Sequence, residues 1–143
     1  MKRLSEKLRD KDALVGTSRL LVAKAVYSFT ADGGEVSTIT PVRTVTLPAG
    51  AVIVGATINT TTAVTSAGSA TVAVGTSAGS AANSILTATA KASLTLNALI
   101  NGAATFAAPV KLSAAGSITV TVATAALTAG VVEVNVLYFV SAG

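Results

Sequence analysis

Residues 75–79 read Gly75-Thr76-Ser77-Ala78-Gly79. The spacing satisfies G-x-S-x-G, the turn that lifts a nucleophilic serine above the sheet of an α/β-hydrolase. That chemistry needs a strand running into a helix, a base to take the hydroxyl proton, and an acid to orient the base. Val72-Ala73-Val74 offers the strand, and residues 80–84 offer a helical turn. The base is missing. The chain contains no histidine, and the body's two lysines, Lys91 and Lys111, sit in no matching motif. In a chain this rich in Gly, Ser and Ala, the match is a chance one. Ser77 is expected in a turn, and no catalytic residue is expected.

The carboxylates fare no better. Asp32 and Glu35 bracket Gly33-Gly34, and a hard cation takes carboxylate and carbonyl oxygens. Two carboxylates are few for six or more ligands, so this stretch reads as a turn. There is no cysteine, hence no disulfide and no thiolate site. No metal site and no cofactor-binding residue is expected. Glu133 interrupts an apolar strand, so it sits either at a sheet edge or beside a lysine.

The chain is basic, with a net charge of +4, which raises nucleic acid as a partner. Such grooves combine clustered Lys/Arg with stacking aromatics. Here the basic residues crowd the N-terminus. The aromatics Tyr27, Phe29, Phe106, Tyr138 and Phe139 are scattered, and all fall on expected strands. No phosphate-binding loop of the G-x-x-x-x-G-K-[ST] type is present. The pattern argues against nucleic acid, although the basic N-terminal arm suits nucleic acid and an acidic protein surface alike. No small-molecule substrate is expected.

The 143 residues suffice for one domain with a core. Hydrophobic residues make up 51% and aromatics only 3%, so the apolar mass is Ala, Val, Leu and Ile. Residues 1–43 hold 13 of the 16 charges; beyond them stand Lys91, Lys111 and Glu133. A free monomer spreads charge over its surface for solubility. The body therefore reads either as a surface covered by other chains or as a Ser/Thr-coated monomer. No run of about 20 apolar residues could cross a membrane as a helix. Five aromatics cannot furnish the two girdles of an outer-membrane barrel. The basic start lacks an apolar segment behind it, so no signal peptide is expected.

Residues 1–19 stand apart as a charged arm. Lys2, Arg3, Lys7, Arg9, Lys11 and Arg19 outnumber Glu6, Asp10 and Asp12. Leu4 and Leu8 are spaced i, i+4, which fits a short helix with one thin apolar stripe. Such a helix is too short to be stable alone. It is either an arm that orders on a partner or a frayed tail.

From Leu20 the period becomes two. Residues 20–143 read as one all-β domain, an antiparallel β-sandwich or jelly roll of about eight strands. Leu20 to Phe29 is a strand, and residues 31–34 are a turn. Thr38 to Leu47 is a second strand, at an edge or bulged at Pro41, which cannot donate to a ladder. Ala51 to Asn59 is apolar on both faces and central. Thr60 to Ser69 is a loop or weak strand. Ala70 to Val74, Ile85 to Thr89 and Ser93 to Asn97 alternate. Ala104 to Leu112, with Pro109, is an interrupted edge. Ser117 to Val122 is the purest alternation, with Ile118, Val120 and Val122 inward and Ser117, Thr119 and Thr121 outward. Ala129-Gly130 is a turn before a last strand, Val131 to Val140. So much alanine at inward positions implies thin packing, and hence stability drawn from subunit contacts.

Three stretches carry a resemblance: residues 47–56 (LPAGAVIVGA), 68–76 (GSATVAVGT) and 111–122 (KLSAAGSITVTV), the last followed by ALTAG and the closing strand. They resemble small β-sandwich structural proteins of tailed bacteriophages, especially head decoration (cement) proteins. The likeness spans roughly residues 20–140 and rests on turn-and-strand style. It implies a homotrimer bound to the major capsid protein on the capsid surface of a virion assembled in the host cytoplasm. The candidate capsid-contact arm would then be Lys2, Arg3, Leu4, Lys7, Leu8, Arg9, Lys11 and Arg19. A tail, fibre or baseplate module is the alternative. It would want exposed aromatics at loop tips.

Overall fold

The computed structural model describes residues 19–78 and 81–140. Ten strands run in the order β1 (Leu21–Ser28), β2 (Thr38–Ile39), β3 (Thr46–Leu47), β4 (Ala51–Ser66), β5 (Thr71–Thr76), β6 (Ala81–Ala90), β7 (Leu99–Asn101), β8 (Val110–Lys111), β9 (Gly116–Ala123) and β10 (Leu127–Val140). A single helical turn, α1 (Phe29–Asp32), follows β1. The strands form two five-stranded antiparallel sheets. The first is ordered β1-β10-β4-β7, with β8 also on β4. The second is ordered β2-β9-β5-β6, with β3 also on β9.

Ten strands reduce to the expected eight, because two of the eight are interrupted. β2 and β3 join β9 at Val120–Thr121 and Gly116–Ser117 respectively, with Pro41 in the gap between them. β7 and β8 join β4 at Thr57–Asn59 and Val52–Ile53, with Pro109 just before β8. In both places the chain leaves the ladder near a residue that has no N–H to give it. Counting each interrupted pair once gives sheet orders 1-8-3-6 and 2-7-4-5, the two-sheet jelly roll.

The core lies between the sheets. Ile53 and Ile58 of β4, Val132, Val134 and Val136 of β10, Val72 and Val74 of β5, and Ile118, Val120 and Val122 of β9 are all buried. Ala23, Ala25, Ala51, Ala56 and Ala70 join them, so small side chains make up part of the interior. Tyr27 is the one fully buried aromatic among the described residues. Its hydroxyl donates to the Gly33 carbonyl in the turn beyond α1.

Of the two alternatives for Thr60 to Ser69, the strand holds as far as Ser66. These residues are the second half of β4, where β-branched threonines extend the ladder with β10. Three expectations are corrected. Ser93 to Asn97 is no strand. A 3-10 turn at Lys91–Ser93 and a turn at Asn97, φ +66°, replace it. Leu94 is buried while Leu96 is exposed, which a period of two would forbid. Ala129-Gly130 lies inside β10, where the register with β4 shifts. Gly130 there takes φ +141°, and a Cβ would stand 2.9 Å from a Val64 methyl. Thr119 is buried, not exposed. It lies on β9 in the gap between the β2 and β3 junctions, opposite Gly75. The chain crossing that gap closes over it, with the Thr44 hydroxyl donating to the Ile118 carbonyl at 3.4 Å.

The packing ranks two substitutions. Ile58→Ala should lower the unfolding free energy by about 2–5 kcal/mol, since β4 cannot collapse into the space left. Lys24→Ala, which removes only a surface ion pair, should cost less than about 1 kcal/mol. Chemical denaturation of the two variants checks the order.

Candidate interaction surface

Ser77 sits between two strands, not between a strand and a helix. β5 ends at Thr76 and β6 begins at Ala81. Gly79 of the motif lies outside the described residues. The Ser77 hydroxyl accepts from the Ser117 N–H at 2.9 Å, and the Ser77 N–H donates to the Ser117 carbonyl at 2.9 Å. The side chain and backbone of Ser77 thus extend the β5–β9 ladder by one step. Gly116 allows this close approach, because a Cβ there would stand 2.6 Å from the Ala78 nitrogen.

The other chemistry-bearing residues are also committed to structure. The Asp32 carboxylate accepts from the Ser28 N–H at 2.9 Å and from the Val42 N–H at 2.8 Å. It ties α1 to the segment after β2. Glu133 lies on β10, between β1 and β4, and pairs with Lys24 at 3.4 Å. The lysine alternative therefore holds, and the edge alternative does not. The Lys91 ammonium donates to the Ser66 carbonyl. Burial, and then the nearby Asp32 charge, push the Tyr27 hydroxyl up to about 12. Among the described residues, no group of three acidic, His or Cys side chains is gathered as a metal site would need.

Of the predicted contact arm, Lys2, Arg3, Leu4, Lys7, Leu8, Arg9 and Lys11 lie outside the described residues. Arg19 is described, and it is exposed.

What the sheets bring together is a surface. On the outer face of the first sheet, Val22, Leu137 and Gly55 stand side by side across β1, β10 and β4. Phe139 and Val52 form the next apolar row. On the other side the face turns polar: Lys24, Asn135, Thr57 and Asn101 are aligned across four strands. Beside Gly55 the chain between β7 and β8 raises one wall of a groove of about 290 Å³. Leu137, Val54, Ala104 and Phe106 line it, with Thr57 and Asn101. Phe106 is 75% exposed.

This corrects the expectation that all five aromatics lie on strands. Tyr27, Tyr138 and Phe139 do. Phe29 opens α1, and Phe106 stands in the β7–β8 connection. The available signal was the bracket around it, Asn101-Gly102 before and Pro109 after, both of which break a ladder.

No protein-family model matches the chain, and no curated protein sequence matches it. Solved structures do. One match is a chain of the acidic stable capsid structure of Helicobacter pylori bacteriophage KHP30, at TM-score 0.62 and 19% identity, covering 88% of this chain and 91% of that one. A second is in the cyanophage Pam1 capsid asymmetric unit, at 0.64 and 17%, covering 87% of each chain. The fold is shared with chains of phage capsids. A third, in the capsid of Ralstonia phage GP4, gives 0.60 and 18% over 86% of each. Near-equal coverage means that the matched chains are about as long as this one.

Two outcomes follow from these contacts. A fluorophosphonate probe should leave Ser77 unlabelled, as mass spectrometry of the treated protein would report. Titration of Tyr27 should weaken the fold at high pH. Its neutral form is favoured in the folded state, so its contribution is complete below the ordinary tyrosine value near 10. That contribution is lost as pH rises from there through about 12. The melting temperature should fall over this window, and Tyr27→Phe should flatten that part of the fall.

Proposed function

We propose that this chain is a virion structural protein of a tailed bacteriophage, a decoration (cement) protein bound to the assembled head. The observation that carries the reading is the fold likeness to capsid chains of matching length in three phages. Two features of the sequence support it. The body holds three charges in its last 100 residues, which suits a surface covered by neighbouring chains. The basic arm, residues 1–19, suits a contact reaching beyond the body.

The mechanism is mechanical, and the chain acts as no enzyme. Copies bind the closed shell and not its dissociated subunits. Each bound copy therefore adds its binding free energy to the stability of the closed state, by mass action. The partners are further copies of this chain, as a homotrimer, and the major capsid protein. The location is the outer surface of the head.

Phe106 favours a second reading, because an exposed aromatic in a loop connection suits a tail, fibre or baseplate module touching host carbohydrate. The two readings part on their targets. For decoration, the chain should be a trimer by light scattering and should co-sediment with expanded heads. Removing residues 1–19 should reduce that binding while circular dichroism of the body stays unchanged. A stable monomer that never binds expanded heads sinks the decoration reading, and binding to purified tails instead selects the second.

A further inference from the structure

The outer face of the first sheet carries a knob beside a hole. The knob is Phe106, 75% exposed in the β7–β8 connection. A phenylalanine side chain left in water forgoes about 150–250 Å² of burial. The hole is the groove whose wall Phe106 helps to form, of about 290 Å³. Its floor exists because position 55 is glycine. A Cβ there would meet only Leu137, at an ordinary 3.7 Å, so nothing in the fold forbids a larger residue. Gly55 takes no left-handed conformation either. The hollow is thus a property of the surface and not a demand of the backbone.

Charge decides what fills it. No ionisable side chain lines the groove. Lys24 stands one row away beside Asn135, and Lys111 stands beyond Val52. The chain as a whole carries +4, so two copies repel one another at long range. A neutral patch is where like-charged copies meet without placing like charges together. An acidic partner would be matched by the lysines and arginines of the N-terminal arm, not by this groove.

We propose that Phe106 and the groove form the contact between copies of this chain, with Phe106 of one copy entering the groove of the next. Phe106 is itself one wall of the groove, so knob and hole make one self-complementary patch. Copies either exchange rings about a two-fold axis or, in a heterologous contact, close into a ring when the rotation between them permits. Gly55 and Leu137 receive the ring, while Thr57 and Asn101 form a polar margin. The contact deepens the self-association of the proposed function and rests on that reading.

The test uses the full chain and three variants. Sedimentation velocity over a concentration series measures assembly, and circular dichroism with thermal melting checks the fold. Phe106→Asp removes the knob. Gly55→Val fills the hole. Leu96→Asp alters another solvent-facing apolar residue, in a different turn. Wild type and Leu96→Asp should assemble alike. Phe106→Asp and Gly55→Val should each weaken assembly at least about tenfold, as expected for a buried aromatic anchor, with the circular dichroism spectrum unchanged. The inference fails if wild type stays monomeric, or if both groove variants assemble like wild type. It also fails if deleting residues 1–18 abolishes assembly while Phe106→Asp does not. If Phe106→Asp assembles normally but no longer binds heads, Phe106 faces the shell: the inference is overturned and decoration stands. If assembly depends on Phe106 but no virion part is bound, the contact stands and the functional reading falls.

Discussion

Val132, Val134 and Val136 on β10 face the interior beside Thr60, Ile58 and Ala56 on β4. The two strands pair from Ala51 with Val140 to Ser66 with Leu127. This ladder sets the position of everything else. β1 hangs on its one side and β7 and β8 on its other. The second sheet answers with a shorter β5–β9 pair, whose valines fill the same interior. Between them the side chains are mostly Val and Ala. Each buried methylene is worth about 0.8 kcal/mol, so a core poor in leucine and aromatic rings gains little per position. Stability must then come from many positions together, which is why the long ladder matters.

Most of this architecture is visible in the residues. Alternation in Ser117 to Val122 and Leu20 to Phe29 marks two strands. The prolines at 41 and 109 mark the two broken ones. What the pattern conceals depends on tertiary context. Thr60 to Ser66 is polar enough to read as loop, yet its backbone is held by β10 along its length. Leu94 and Leu96 look like one strand face, but local hydrogen bonds from Leu94 and Ala98 to Lys91 and Thr95 wind the chain into turns. Alternation over two leucines is too short a signal to outweigh them.

The candidate site was legible in a different way. The chain offers no histidine to the serine of Gly75-Thr76-Ser77-Ala78-Gly79, and the structure gives that serine a task on the β9 backbone. Asp32 likewise serves two backbone N–H groups. Their polar atoms close gaps between segments that carry no regular ladder. The groove beside Phe106 was not legible, because it depends on β4, β10 and the β7–β8 connection meeting. No local window of sequence contains all three.

The interrupted strands have a consequence wherever copies of the chain crowd together. Unbroken outer strands would there template endless sheet-to-sheet polymerisation. In this fold one margin of each sheet is cut short, at β2 and β3 and at β7 and β8. Of the other two, β1 is bridged by Val26 to Arg43, and β6 gives the Ile85 carbonyl to the Ala103 N–H. The same breaks that obscure the strand count shorten the row of free backbone groups on those two margins, which leaves side chains as the means of contact there.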